Sequence, residues 1–120
     1  MTEYGTAREV QNDGFWQAFD KVIAESEIII DRPKGSRHPQ YPDSIAPLDY
    51  GYLNNTTSPD GEGIDLWRGS DSRGLLDAVI CTVDPVKRDC EIKLLIGCTE
   101  DEKALVFPGK FMKGILIRRT

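Results

Sequence analysis

Residues 48–66 read LDYGYLNNTTSPDGEGIDL, and this stretch organises both the predicted fold and the predicted site. Residues 50–53 are typical of a strand, residues 58–61 of a turn, and the alternation over residues 63–67 of a second strand. Acidic side chains are concentrated around this turn, at Asp60, Glu62 and Asp65. Clustered carboxylates repel each other unless cations neutralise them, and oxygen ligands suit hard cations such as Mg²⁺. We therefore predict a divalent-metal site on this loop.

These acids differ in how strongly they indicate a function. Asp60 precedes Gly61, and an Asp-Gly pair is also a common hairpin turn, so turn chemistry explains Asp60 equally well. Asp65 lies inside a predicted strand, where a carboxylate is disfavoured unless it has a use. The acidic spacing does not fit an EF-hand, and the chain has no GxxxxGK[ST] phosphate-binding motif. The single histidine, His38, is more often a surface residue than a catalytic base, which argues against a serine–histidine–aspartate triad.

The chain ahead of this loop begins with a predicted helix and a predicted strand. Apolar residues recur at helical spacing from Asn12 or Asp13 onward, at Phe15, Trp16, Phe19, Val22 and Ile23. This pattern predicts a helix that covers the core. Residues 27–32 form a β-branched run that Pro33 ends, which predicts a strand.

A proline-rich segment separates this strand from the acidic loop. Its four prolines, at positions 33, 39, 42 and 47, exclude a regular helix. Lys34, Arg37 and His38 concentrate positive charge in it, just ahead of the carboxylates. The segment is therefore either an ordinary exposed loop or one that faces an anion.

The second half of the chain predicts a hairpin, a short helix and a closing strand. Two apolar runs are joined by a polar link that contains Asp84 and Pro85, which predicts a hairpin. Thr99 and Glu102 match a capping box, which predicts a helix immediately after Thr99. The predicted elements are strands at 75–83 and 91–98, a helix at 100–106 and a strand at 111–119, for which a helix is the alternative.

These elements predict a mainly β (α+β) protein with a single domain over residues 1–120. We expect a small barrel of the OB type with an N-terminal helix and a short C-terminal helix. In such a barrel Asp84, Asp89 and Glu91 lie at strand ends or in adjacent loops, as the first acidic group does. Carboxylates gathered at one mouth would form a site for more than one divalent ion.

The composition argues against several classes of function. Fifteen basic and twenty acidic residues give a net charge of −5, which argues against binding to a nucleic-acid backbone. No apolar run reaches the ~20 residues that span a membrane. Cys81, Cys90 and Cys98 have no CxxC spacing, which favours reduced thiols and a cytoplasmic protein. The oligomeric state stays open, with a homo-oligomer as one alternative.

The stretch YGYLNNTTSPDGEGIDLW, residues 50–67, resembles the signature of soluble family I inorganic pyrophosphatases. That signature runs Tyr-Gly-Tyr, then Asn and Thr, and then Asp-Gly-Asp-x-x-Asp. The segment from Val83 to Lys93 is similar to the family's second acidic motif. Lys34 lies where the family places a phosphate-binding lysine, and together the similarities span residues 27–97.

The resemblance implies an OB-like five-stranded barrel and Mg²⁺-dependent hydrolysis of inorganic diphosphate to two phosphates, with Mn²⁺ as an alternative ion. The implied metal ligands are Asp60, Glu62, Asp65, Asp84 and Glu91, with Asp89 as a rival to Glu91. The implied catalytic residues are Asp65, Asp60, Lys34, Tyr50 and Lys93. The implied substrate-binding residues are Lys34, Arg37, Tyr50 and Lys93, while Asp31 matches the acid that ends the family's first strand. The implied partner is a small phosphate-containing substrate.

The chain departs from the family pattern mainly in the substrate half of the site. The hairpin that carries the family's phosphate-binding arginine is missing or replaced by the proline-rich segment, where Arg37 is a substitute. Ala46 stands where the family has a tyrosine, and the family's C-terminal tyrosine–lysine pair has no counterpart. Two alternatives therefore stay open: a metal- and phosphate-ester-binding protein of the same fold without turnover or with another specificity, and an oligonucleotide-binding barrel, which the net charge disfavours.

Overall fold

A six-stranded mixed sheet with two helices forms the protein in a computed structural model, which describes residues 13–59, 61–108 and 113–119. The elements in chain order are α1 (Asp13–Ala24), β1 (Ile28–Arg32), β2 (Asp49–Leu53), β3 (Ile64–Arg68), β4 (Leu76–Asp84), β5 (Asp89–Ile96), α2 (Glu100–Val106) and β6 (Lys113–Arg118). The mainly β class and both helices are confirmed, and each strand lies within two residues of its predicted bounds. The part of the closing-strand prediction that covers residues 111 and 112 lies outside the described residues.

The strand order is β1-β2-β3-β5-β4-β6. The pair β3·β5 is parallel, and all other neighbouring strands are antiparallel. The predicted five-stranded barrel is therefore wrong in strand number and in closure, because the described strands form an open sheet with β1 and β6 at its edges. The local patterns predicted all six strands, whereas the number five came from the family resemblance. β6 is the additional strand, and it pairs with β4 over residues 113–118.

Each face of the sheet carries an apolar cluster to which one helix contributes. The α1 face contains Trp16, Leu53, Leu66, Leu76, Val79, Leu94 and Ile96. The α2 face contains Leu48, Ala78, Ile80, Leu95, Cys98 and Val106. Successive strand residues point to opposite faces, so Leu94 and Leu95 of β5 belong to different clusters. The helical face predicted for α1 is only partly buried, because Trp16 is 7% exposed while Phe15 is 41% exposed.

The proline-rich segment is a folded loop without a helix, as its prolines predict. Its two limbs are held together by backbone hydrogen bonds, including a β-bridge between Arg37 and Ile45 and a bond from the Gly35 amide to the Ala46 carbonyl. Gly35 has a positive φ of 86°, a conformation that glycine adopts without strain. The loop begins with the Lys34 amide donating to the Asp49 carboxylate at 2.8 Å.

The capping box at the start of α2 is confirmed. The Thr99 hydroxyl accepts from the Glu102 amide, and the Glu102 carboxylate accepts from the Thr99 amide. The same carboxylate also accepts from the Ser70 amide, which ties α2 to the residues that follow β3. Neither described helix has the length and apolar content needed to cross a bilayer.

Candidate functional site

The predicted acidic loop opens into a polar cavity on the α2 face of the sheet. The cavity has a volume of about 450 Å³ and is lined by Asp31, Tyr50, Tyr52, Glu62, Gly63 and Asp65. Strand alternation explains this placement, because Leu53 and Leu66 point to the α1 face while Tyr52 and Asp65 point to the other. Tyr52 is the register partner of Asp65, which in turn is the partner of Lys93 on β5. Three adjacent strands therefore contribute one polar row.

Lys93 joins the strands of this row through its ammonium group. Its Nζ donates to the Tyr50 hydroxyl at 2.9 Å and lies 3.6 Å from Glu91 Oε2 and 3.9 Å from Asp65 Oδ2. The Lys93 side chain is 20% exposed, so these interactions are only partly screened by water. The ammonium thus stabilises two of the carboxylates that would otherwise repel each other.

Tyr50 also belongs to this polar row, because its hydroxyl is hydrogen-bonded to both Lys93 and Asp65. Its hydroxyl accepts from Lys93 and makes a hydrogen bond to the Asp65 carboxylate, in which the hydroxyl is the donor. Burial, followed by the charge of Asp65, raises the pKa of Tyr50 far above its ordinary value. Tyr50 therefore stays protonated over the physiological pH range and acts as a fixed hydrogen-bond donor.

Three of the five predicted metal ligands line the cavity or lie beside it. Glu62 and Asp65 line the cavity, together with Asp31. Glu91 lies beside Lys93 at the edge of the same row. Asp60 lies outside the described residues.

Asp84 and Asp89, the second of which is the rival to Glu91, are at the far end of the β4–β5 hairpin. They are register partners there, and Asp89 is exposed. Asp84 Oδ1 accepts from the amides of Val86 at 3.0 Å and Lys87 at 3.1 Å. Asp84 is therefore engaged by its own turn, which is the role that Asp commonly plays in such turns.

The predicted cations of the proline-rich loop do not line the cavity. Arg37 Nη1 donates to the Pro42 carbonyl at 2.9 Å, so it stabilises its own loop. Lys34 donates a hydrogen bond from its backbone amide to the Asp49 carboxylate. The ring of His38 accepts from the Gln40 amide through Nδ1, which is also an interaction within the loop.

Arg32 is a cation near the site that the sequence reasoning missed. The register of β1 against β2 shifts between Ile30 and Arg32, and this bulge makes Arg32 the partner of Tyr50. Its Nε is buried and has no hydrogen-bond acceptor among the described residues. A buried guanidinium nitrogen without an acceptor is costly, so a ligand anion would complete it. The sequence signal that could have identified Arg32 is the charged pair Asp31-Arg32 at the end of an apolar strand.

Asp49 is a second residue that the sequence reasoning missed. Its carboxylate accepts from the Lys34 amide and, at 3.2 Å, from Arg68 Nη2 at the end of β3. The hydrogen bond from Lys34, followed by the one from Arg68, lowers the pKa of Asp49. Asp49 thereby fixes the start of the proline-rich loop against the sheet.

The cavity residues fit Mg²⁺ in their chemistry, although not as a complete cage. Among the residues that the structure describes, no three histidine, cysteine or carboxylate side chains are grouped closely enough to hold an ion by themselves. Mg²⁺ needs oxygen ligands, retains several waters and is bound through one or two carboxylates together with substrate phosphates. The pair Glu62 and Asp65 meets this lower requirement, with Asp31 on the same wall.

Comparison with known proteins finds no matching family model, no matching curated protein and no matching solved structure.

Proposed function

We propose that this protein hydrolyses inorganic diphosphate to two phosphates in a Mg²⁺-dependent reaction. The observation that carries the proposal is the surplus of carboxylates around one lysine–tyrosine pair. Asp31, Glu62 and Asp65 line a single cavity, and Glu91 lies beside it, whereas Lys93 is a cation in contact with Asp65 and Glu91. The resemblance of residues 50–67 to the pyrophosphatase signature points to the same chemistry.

The charge of the cavity makes the metal and the substrate dependent on each other. An unaccompanied diphosphate would be repelled by these carboxylates, whereas a divalent cation is attracted to them. A cation held there by Glu62 and Asp65 would reverse the local charge, and this reversal would favour binding of phosphate oxygens. Mg²⁺, with Mn²⁺ as the alternative, would polarise the phosphoryl oxygens and lower the pKa of a bound water when present.

The side chains divide into a cation-holding set and an anion-holding set. Asp65 and Glu62 hold the cation. Asp31 belongs to the same set because it lines the cavity, and Asp60 belongs to it because of its position in the acidic loop. Asp84 and Glu91 complete the implied ligand set only if Asp84 gives up its two turn hydrogen bonds.

The anion-holding set consists of residues with fixed donors or positive charge. Lys93 supplies a point charge, and the Tyr50 hydroxyl supplies a donor that does not ionise and that would turn from Asp65 to a phosphate oxygen when Asp65 holds the cation. Arg32 supplies a guanidinium beside Tyr50, in place of the arginine for which Arg37 was the candidate. Lys34 is assigned to this set because the family resemblance implies that it binds phosphate.

We propose, further, that the sheet is a variant of the OB-type fold, which is a partly open Greek-key barrel of five strands. The non-sequential order of β3, β5 and β4, with β3·β5 parallel, supports this relationship. A cytoplasmic location belongs to the same proposal, supported by the three free cysteines.

A binding protein without turnover is the second candidate. It is favoured by the turn hydrogen bonds of Asp84 and by the buried Ala46, which stands where the resembled family has a tyrosine. Such a protein would bind Mg²⁺ and a phosphate ester in the same cavity without releasing phosphate.

One pair of measurements on the wild-type chain distinguishes the two candidates. Phosphate release from inorganic diphosphate is followed with Mg²⁺, with Mn²⁺ and with a chelator, and calorimetry measures binding of a non-hydrolysable diphosphate analogue. Metal-dependent release establishes the hydrolase. Metal-dependent binding without release establishes the binding protein, and the absence of both refutes the proposed site.

A further inference from the structure

Trp67 connects the candidate site to the apolar cluster of the α2 face. It follows Asp65 by two residues on β3, so both side chains lie on the same face of the sheet. Its register partners are Tyr50 on β2 and Leu95 on β5. One partner belongs to the polar row and the other is fully buried in the apolar cluster.

The indole ring contacts the ring of Tyr50 directly. The ring centroids are 4.5 Å apart with an interplanar angle of 57°, within the range of favourable aromatic pairs. Trp67 also packs against the apolar cluster, and its carbonyl accepts a weak hydrogen bond from Cys98 Sγ at 3.9 Å. Leu48 and Leu95 in this cluster are at most 2% exposed, so the support behind the indole is close-packed.

The proposed reaction would use the hydroxyl group of Tyr50. Its hydroxyl lies 2.9 Å from Lys93 Nζ and is hydrogen-bonded to Asp65, while Lys93 Nζ is 5.0 Å from the centroid of the tyrosine ring. A tyrosine ring turns about two side-chain torsions, so its hydroxyl is held only as firmly as the ring is. A displacement of about 1 Å at a reacting group is enough to cost a large factor in rate.

We infer that Trp67 is a positioning residue that holds the Tyr50 ring so that its hydroxyl stays between Lys93 and Asp65. The inference rests on the proposed function for its effect on catalysis. Trp67 does not touch the reacting atoms in this scheme. Because the indole is packed against the apolar cluster of the α2 face, it restricts movement of the Tyr50 ring and therefore of the Tyr50 hydroxyl.

The kinetic test compares the wild-type chain with four variants, Trp67→Leu, Trp67→Phe, Tyr50→Phe and the double variant, with inorganic diphosphate as substrate in the presence of Mg²⁺. Trp67→Leu is expected to lower kcat about tenfold while KM changes less than about threefold, and Trp67→Phe, which keeps a ring, is expected to restore most of kcat. Adding Trp67→Leu to Tyr50→Phe should cost little more, because a residue that acts through Tyr50 has no effect once the hydroxyl is gone. Multiplicative losses in the double variant would overturn the inference.

Trp16→Leu is the matched control for loss of a tryptophan. Trp16 is buried on the α1 face, where its ring lies 5.7 Å from the Arg119 guanidinium. The polar row is on the opposite face of the sheet. This variant is expected to lower the melting temperature and leave kcat of the folded fraction unchanged. Equal loss of kcat in both tryptophan variants would mean that general destabilisation explains the effect, and the inference would be wrong.

A fluorescence experiment separates failure of the inference from failure of the proposed function. The chain has two tryptophans, so Trp16→Phe leaves Trp67 as the single indole. In that background, Tyr50→Phe and Lys93→Met are each expected to change the Trp67 emission, whether or not the protein is an enzyme. If the wild type releases no phosphate but the emission responds, the proposed function fails while the positional coupling stands. If neither substitution changes the emission, the coupling itself is refuted.

Discussion

The ammonium of Lys93 lies 2.9 Å from the hydroxyl oxygen of Tyr50, although the two residues are 43 positions apart in the chain. They come from β5 and β2, and the strand between them, β3, places Asp65 within reach of both. Lys93 therefore has two effects: it neutralises nearby carboxylates, and it fixes the orientation of a protonated tyrosine. The first effect opposes metal binding, and the second favours recognition of an anion.

Asp65→Asn should abolish Mg²⁺-dependent phosphate release and leave the fold intact. The amide removes the charge that holds the cation, and a loss of about 100-fold or more, about 2.7 kcal/mol, is expected. Phosphate release and thermal unfolding measure the two effects. Asp43→Asn, at an exposed loop position, makes the same charge change and should retain full activity. An Asp65→Asn protein as active as the wild type would remove the mechanism.

Lys93→Met should tighten Mg²⁺ binding while lowering diphosphate hydrolysis. Without the ammonium, Glu91 and Asp65 are no longer neutralised at 3.6 and 3.9 Å, so the cation is held more strongly. Calorimetric titration with Mg²⁺ alone is expected to show an affinity higher by about threefold or more, in line with an electrostatic term of modest size. Lys87→Met, at the exposed tip of the β4–β5 hairpin, should leave the affinity unchanged. Weaker Mg²⁺ binding in Lys93→Met would show that the ion does not use these carboxylates.

Arg32→Met should raise KM for diphosphate by about tenfold without lowering the melting temperature. A charged hydrogen bond to a ligand contributes roughly 1.5–3 kcal/mol, whereas Arg32 Nε has no acceptor within the described protein whose loss would destabilise the fold. Arg32→Lys should give an intermediate KM, because lysine keeps the charge but not the planar pair of donors. Steady-state kinetics and thermal unfolding test both statements. A strong destabilisation with unchanged KM would assign Arg32 to the fold instead of the site.

Glu102→Gln should destabilise the protein at neutral pH by about 1 kcal/mol, because the neutral amide keeps the capping geometry but loses the charge that strengthens the hydrogen bonds from Thr99 and Ser70. Hydrogen bonds from the Thr99 amide, followed by those from Ser70, lower the pKa of Glu102 below its ordinary value near 4.5. A carboxyl group with a lowered pKa in the folded state contributes stability above pH 4.5, and this contribution is lost as the pH falls through the folded-state pKa. The difference between wild type and variant in denaturant unfolding should therefore shrink in acid.

Asp101→Asn is the control for this measurement, because Asp101 is an exposed neighbour in the same turn of α2. Its stability difference from the wild type should be small at neutral pH. A Glu102→Gln difference that persists unchanged in acid would mean that the ionised carboxylate is not the source of the stabilisation.

The candidate site was predictable from the sequence only in part. The acidic loop and Asp65 were found because a carboxylate inside an apolar strand pattern is unusual. Arg32 was missed because the bulge that makes it the register partner of Tyr50 is a property of the pairing between β1 and β2, not of either strand alone. Asp84 was placed in the metal set because of the family resemblance, and the structure shows that its carboxylate accepts two hydrogen bonds within its own turn.

The sequence by itself determined the elements of this protein. Helical spacing specified α1, the Thr99 and Glu102 capping box specified α2, and alternation with turn residues specified the strands. These signals are local, because they depend on interactions between residues a few positions apart. Only the tertiary structure decided that β5 pairs with β3, that the sheet stays open with β6 beside β4, and that Lys93 meets Tyr50 and Asp65. Strand pairing is set by how both apolar faces of the whole sheet are buried at once, and no short stretch of sequence carries that information.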